Sequence, residues 1–287
     1  MRYLIIGSRG QLARTFIKTF EERSIEYHAP EESMLDITKS TDINEAVGNY
    51  RPDVIINCAA YNLVDQAERE GDRAFAVNAL GPRYLAVAAE RTGATLVHFS
   101  SDYLFDGRKE TGLYVEEDPV NPLNLYGRSK LTGERHLQDT SDDHLIFRLS
   151  WVYGNGTQNF IHKLSEWSRS QEYLKIACDE FSVPTSTSMV VDMTLRSLDA
   201  GMRGLYHLTN SGLCSRYEWA VFVLERLGSR KFILPVSMDR FHLPAVRPKF
   251  SAMSNAKVQE ALGVKIETWE DAVESFLNQE YATYEHK

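Results

Sequence analysis

The chain has 287 residues, 43% hydrophobic and 25% charged, an ordinary balance for a soluble globular protein of one large or two unequal domains. Lys plus Arg number 32 against 40 Asp plus Glu, a formal net charge of −8, so no nucleic acid and no anionic membrane is expected as a partner. Cys58, Cys178 and Cys214 form no CxxC unit, and the apolar run in MRYLIIG is too short for a signal or membrane segment, so a reducing, cytoplasmic setting is expected.

YLIIG (3–7) reads as a short apolar strand, and QLARTFIKTFEE (11–22) follows with Leu12, Phe16 and Phe20 at helical spacing. SIEYHA (24–29) reads as a second strand, and TDINEAVGNY (41–50) as a helix capped by Thr41 or Asp42. DVIINCAA (53–60) is a buried strand, and residues 74–90 form a helix bent or interrupted near Pro82. TLVHFSS (95–101) is a fourth strand. A loop then leads to a helix carrying Tyr126, and HLIFRLS (144–150) is a fifth strand. Strand–helix alternation with apolar, β-branched strands predicts an α/β fold: a Rossmann-like, doubly wound parallel sheet covered on both faces.

Beyond residue 150 the pattern loosens, with helices expected near 159–170, 187–200, 215–228 and 268–278 and strands near 174–177 and 205–208. Residues 234–253, rich in Pro and Arg, read as loop. Residues 1–150 are therefore taken as a dinucleotide-binding domain. Residues 151–287 are taken mainly as a smaller C-terminal substrate-binding domain, with about 180–204 returning to the main sheet.

The first strand runs into GSRGQLA, with Gly7, Gly10 and Ala13 spaced G-x-x-G-x-x-A. A glycine turn here lets a pyrophosphate approach the backbone and rest on a helix N-terminus. No acidic residue ends the second strand, where His28 stands, so the cofactor is read as NADPH or NADH. Arg9 and Arg14 are candidates for a 2′-phosphate, or solvated charges. Ser100, Ser101, Asp102 and Tyr103 fall at the carboxyl end of the fourth strand, the edge where such sheets bind ligands.

Tyr126 and Lys130 follow one helical turn apart, a spacing that alone fits any two side chains on one helix face. With Ser101 they make a coherent acid-catalysis set. A tyrosine would protonate the oxygen of a carbonyl reduced by hydride, a lysine ammonium would lower its pKa, and a serine hydroxyl would orient the same oxygen. The eight histidines show no ligand spacing, and no metal site is read.

The ordered motifs GxxGxxA, NCAAYNLVDQAE (57–68), VN (77–78), SSDYLFDG (100–107), YGRSK (126–130) and RLSWVYG (148–154) resemble the extended short-chain dehydrogenase/reductases. More closely they are similar to the dTDP-4-dehydrorhamnose reductase family. The likeness continues through CDEFSVPTST (178–187), GLYHLTNSGLCSRYEWA (204–220) and VRPKFSAMSNAK (246–257).

That resemblance implies reduction, with NADPH or NADH, of the C4 keto group of dTDP-4-dehydro-6-deoxy-L-mannose. It makes Tyr126 the proton donor, Lys130 the residue that holds the nicotinamide ribose and tunes the tyrosine, and Ser101 the stand-in for a usual threonine. It places Gly7, Gly10, Gln11 and Leu12 at the pyrophosphate and Asp36 and Ile37 near the adenosine. Ala59, Ala60, Tyr61, Asn78 and Ser100 would line the cofactor. Asn62, Val64, Tyr103 and Trp151 would meet the sugar nucleotide, with Arg247 as a diphosphate clamp. Trp151 reads equally as core packing.

Ala13, Ser101, Asn62 and Leu149 depart from the family pattern, the last two beside the substrate. The implied partner is a dTDP-linked nucleotide sugar, and the chain would act as a monomer or homodimer. The resemblance also leaves room for a non-catalytic NADP-binding regulatory subunit or a nucleotide-sugar epimerase. A dehydratase would want a glutamate where Tyr103 follows Asp102.

Overall fold

The computed structural model describes residues 1–281. Six parallel strands build one sheet: β1 (Tyr3–Ile6), β2 (Tyr27–His28), β3 (Val54–Asn57), β4 (Thr95–Ser101), β5 (His144–Leu149) and β10 (Gly204–His207). Their order across the sheet is β10-β5-β4-β3-β1-β2, so the chain reverses its winding between β1 and β3. A crevice opens beyond the carboxyl ends of the strands at such a reversal.

The two faces of the sheet alternate along each strand. Tyr3, Ile5, Val54, Ile56, Val97, Phe99, Leu145 and Phe147 bury one face under helices α1 (Gln11–Glu22) and α8 (Thr187–Asp199). Leu4, Ile6, Ile55, Leu96 and Ile146 bury the other under α2 (Ser40–Tyr50) and α5 (Gly81–Thr92), with Leu137 of α6 (Leu125–Gln138). Burial on both faces explains why these strands read as continuous apolar runs.

Between β3 and α5 lie two short helices, α3 (Val64–Ala67) and α4 (Gly71–Phe75), and a π-helical turn, Ala76–Leu80. The interruption expected near Pro82 is this π turn, and the proline starts α5, where its missing N–H costs little.

The remaining chain folds around a third core centred on Tyr153, Trp219 and Trp269. It contributes α7 (Phe160–Ser170), α9 (Arg216–Arg226) and α11 (Trp269–Glu280), while α10 (Ala256–Leu262) packs Val258 and Leu262 into the core on the first face of the sheet. Its strands pair two by two: β6 (Val152–Tyr153) with β9 (Thr185–Ser186), β7 (Leu174–Ala177) with β12 (Ile233–Val236), and β8 (Phe181–Ser182) with β11 (Cys214–Ser215). β12 corrects the reading of 234–253 as loop: its Pro235 needs no inner ladder bond, because the strand lies at the edge of a two-stranded sheet. The second strand is shorter than expected. Thr41 and Asp42 lie inside the first turn of α2, after Lys39 at the N-cap. Among the described residues no helix is long and apolar enough to cross a membrane.

Helix α6 is seated by its glycines and its cap. Asn124 accepts a hydrogen bond from Gly127 N at 2.8 Å and donates through Nδ2 to Val246 O at 2.8 Å. A Cβ on Gly127 would lie 2.3 Å from Tyr103 O, and one on Gly133 would lie 2.1 Å from Asn78 O.

Helix propensity alone would make Gly133→Ala stabilising by about 1 kcal/mol. The clash with backbone should reverse the sign, costing about 1–3 kcal/mol net as an overpacked site. Gly48→Ala in α2, whose Cβ would meet nothing within 4 Å, is the control and should be neutral or stabilising. Urea unfolding of both variants measures the difference.

Candidate active site

A cavity of about 320 Å³ lies at the carboxyl edge of the sheet. Ser100 and Ser101 end β4 on one wall, and Tyr126 and Lys130 project from α6 on the same wall. Gln11 and Leu12 reach it from α1, while Ala59, Ala60, Asn62 and Val64 reach it from the segment after β3. Tyr103 and Trp151 complete the lining used below. The structure thus brings Ser101, Tyr126 and Lys130 to one cavity.

Tyr126 is buried, and its phenol is pushed up to about 12, chiefly by burial. A hydrogen bond with Ser101 opposes the rise, and the charge of Asp102 adds to it. This corrects the expectation of a lowered phenol pKa: desolvation outweighs the stabilising contacts. Lys130 is 2% exposed and donates through Nζ to Phe99 O at 2.5 Å. Burial lowers its pKa to about 8, with Glu134 and Cys58 pulling it back up.

The glycine turn can take a dinucleotide. Gly7 holds φ +81°, and a Cβ there would lie 2.7 Å from Ala59 N, so only glycine fits. Gly10 caps α1 without a side-chain acceptor, leaving first-turn N–H groups for an anion. Ser100 Oγ is buried with no partner and lines the same cavity. Ala13 is fully buried in the core.

Other residues expected near the cofactor lie outside this cavity. The Asp36 carboxylate accepts Thr38 N at 2.9 Å and Thr38 Oγ1 at 2.7 Å, which hold it below the usual range. Ile37 packs on Gly81, where a Cβ would meet its Cγ1 at 2.7 Å. Neither residue lines the cavity. Asn78 accepts Tyr61 N at 2.8 Å and donates to Tyr61 O and Ser129 Oγ, both at 3.0 Å, pinning the loop after β3 to α6. Arg9 pairs with Glu31 on the surface, and Arg14 donates to Asn155 O.

Trp151 is held at φ 38°, an unusual conformation for a bulky residue. Its ring stacks on Trp219 with centroids 5.6 Å apart, and Arg216 Cζ lies 3.6 Å from the Trp151 centroid. Tyr103 meets Tyr126 edge-on at 5.8 Å. Arg247 forks onto Asp65, with Nη2–Oδ2 at 2.6 Å and Nη1–Oδ1 at 3.0 Å. It faces a second, larger cavity of about 830 Å³, shared with Arg216, Glu180, Phe160 and Trp167.

Sequence reasoning missed Arg216 and Glu180, whose only signal was membership of the quoted segments CSRYEWA and CDEF; it placed Asp102 at the ligand edge of the sheet but gave it no role.

Residues 1–282 match the family model described as RmlD substrate binding domain. The chain belongs to the dTDP-4-dehydrorhamnose reductase family. It is 34% identical to the spore coat polysaccharide biosynthesis protein SpsK of Bacillus subtilis, over 97% of both chains. It is 33% identical to the dTDP-4-dehydrorhamnose reductase of Escherichia coli, over 86% of each. The dTDP-4-dehydrorhamnose reductase of Bacillus anthracis, solved in complex with NADP, superposes with a TM-score of 0.93 at 33% identity, over 97% of this chain and 99% of that one. Family membership makes the protein an enzyme of the reductase class.

Lys130 also carries a stability signature. Its folded pKa of about 8 lies below the ordinary lysine value of 10.5, so between these limits the unfolded chain binds more protons than the native one. Stability from this group therefore rises as pH climbs from about 8 to 10.5. Lys130→Met should remove that rise and be more stable than the wild type at pH 7, by up to about 3 kcal/mol at roughly 1.4 kcal/mol per pKa unit. Denaturant unfolding of both proteins across pH 7–10.5 reads the difference.

Proposed function

We propose that the enzyme reduces the C4 keto group of a nucleotide-linked sugar with NADPH or NADH. The proposed substrate is dTDP-4-dehydro-6-deoxy-L-mannose. The observation that carries this reading is the convergence of Ser101, Tyr126 and Lys130 on the cavity that the glycine turn also reaches.

In this reading Gly7, Gly10, Gln11 and Leu12 hold the pyrophosphate of the dinucleotide, Ala59, Ala60 and Ser100 line it, and Lys130 binds the nicotinamide ribose. The nicotinamide, when bound, supplies hydride. Tyr126 stays protonated at neutral pH because burial holds its phenol near 12, so its proton is in place when negative charge develops on the sugar oxygen. The Lys130 ammonium stabilises the phenolate left behind. Ser101, in the same cavity, orients the carbonyl oxygen that Tyr126 protonates.

We assign the nucleotide diphosphate to the larger cavity, where Arg216 and Arg247, the latter already forked onto Asp65, put positive charge on the wall. Trp151, Asn62, Val64 and Tyr103 line the smaller cavity and would stand beside the sugar. The C-terminal core serves as the substrate lid, while α8 and β10 belong with the main sheet. The name of the B. subtilis relative, a spore coat polysaccharide biosynthesis protein, agrees with an activated-sugar product.

Purified enzyme with NADPH and dTDP-4-dehydro-6-deoxy-L-mannose should consume the nicotinamide absorbance. Tyr126→Phe should lower kcat by about 10²–10⁴-fold, the range for a lost general acid, with NADPH affinity unchanged. Tight NADPH binding without turnover in the wild type would instead favour a regulatory binding role. A Phe variant at wild-type rate would remove Tyr126 from the proton path.

A further inference from the structure

Arg9 and Arg14 both flank the glycine turn, and the fold sends them to opposite sides. Arg14 donates to Asn155 O at 3.0 Å, and a Cβ on Gly156 would lie 2.3 Å from its Nη2, so it is committed to the C-terminal half. Arg9 turns toward the loop after β2. Its Nη2 donates to Glu31 Oε2 at 2.7 Å, and beside it Ser8 Oγ donates to Pro30 O at 2.9 Å. The loop backbone holds Glu31 in place: its carbonyl accepts Met34 N at 2.9 Å and Leu35 N at 3.0 Å, and Leu35 is buried.

The order of the strands decides which end of a dinucleotide meets this pair. Tyr126 and Lys130 share the cavity with Ser101 at the end of β4, whereas β2 lies at the far edge, beyond β3 and β1. With the nicotinamide beside Tyr126 and the pyrophosphate on α1, the adenosine runs the other way, over β2. Two kinds of group discriminate between cofactors there: an acid accepts the ribose 2′-hydroxyl, and an arginine takes a 2′-phosphate. Arg9 and Glu31 are one of each, bound to one another.

Such a pair opens easily. Its side chains are 75% and 57% exposed, and an ion pair so open to water is held weakly. The other acids of the loop differ. Asp36 is closed by Thr38 and Lys39, and Glu32 is exposed with no ion pair among the described residues.

We propose that the Arg9–Glu31 pair sets the choice of cofactor: Arg9 leaves Glu31 for the 2′-phosphate of NADPH, whereas NADH keeps the pair closed and gives its 2′-hydroxyl to Glu31. Arg9 engages Oε2 alone, which leaves Oε1 for that hydroxyl. The inference rests on the cofactor placement in the reductase reading. Glu31 thus competes with NADPH for one guanidinium and serves NADH directly. A phosphate matches the arginine fork better than a single carboxylate oxygen does, so the exchange favours NADPH without excluding NADH.

The test is titration with NADPH and with NADH, read by nicotinamide fluorescence without a sugar substrate, on wild type, Arg9→Ala, Glu31→Gln and Glu32→Gln. All three side chains are exposed, so the core is untouched. Arg9→Ala should weaken NADPH binding about tenfold or more, the scale of a lost charge-assisted hydrogen bond, and leave NADH within about threefold. Glu31→Gln should tighten NADPH and weaken NADH, each by about two- to fivefold, the range of an exposed ion pair. Glu32→Gln removes the same charge one residue along and should leave the ratio of the two affinities unchanged.

Arg9→Ala with the wild-type NADPH-to-NADH ratio overturns the proposal. So does Glu31→Gln with an unchanged ratio, or Glu32→Gln that shifts it equally. A wild type that binds neither dinucleotide overturns the cofactor reading of the glycine turn, and this inference with it. Tight binding without turnover of the keto-sugar nucleotide removes the reductase reading and leaves the cofactor inference standing.

Discussion

The site depends on how closely helix α6 lies against the end of β4. Lys130 is almost wholly removed from water, and its ammonium is held there by the Phe99 carbonyl on β4 and by the charge of Glu134. That reach requires the helix backbone to touch its neighbours, which Gly127 and Gly133 permit by offering no Cβ to Tyr103 O and Asn78 O. Asn78 in turn holds the loop after β3 by both ends of its amide. One packing constraint therefore sets the tyrosine, the lysine and a wall of the cavity together.

The cavity is closed from the other side by polar ties between distant segments. Gln11 donates to Val152 O at 3.0 Å, and Arg247 forks onto Asp65. Asp102 gathers Ser182 and Ser251. Each tie joins the sheet half to the C-terminal half, and each borders a cavity. Buried polar groups that are fully partnered rigidify a site, whereas an orphaned one marks a place for a ligand. Ser100 Oγ and Trp151 Nε1 are such orphans, both on residues that line the smaller cavity.

Much of the sheet half was legible in the sequence because local signals there agreed with one another. α1 and β4 match their expected bounds, since an amphipathic period and a buried apolar run each have one reading. β2 and the two-residue strands of the C-terminal half were not legible at this precision. Pairs as short as β8 with β11 carry no periodicity and exist only through tertiary contact. At the site, Ser101, Tyr126 and Lys130 could be found from spacing and strand-end position. Asp102 could not be recognised as a hub, because Ser182 and Ser251 lie 80 and 149 residues away in the chain. The Tyr126 pKa misled for a related reason: spacing shows a neighbouring lysine but not how much water burial removes.

The central claim is that hydride reaches a keto carbon held beside Tyr126. The most direct measurement is the fate of deuterium from nicotinamide-4-deuterated NADPH, with the sugar-nucleotide product followed by NMR. The account predicts one deuterium on the carbon that bore the keto group, in a single configuration. Product without deuterium at that carbon, or with both configurations present, would contradict it.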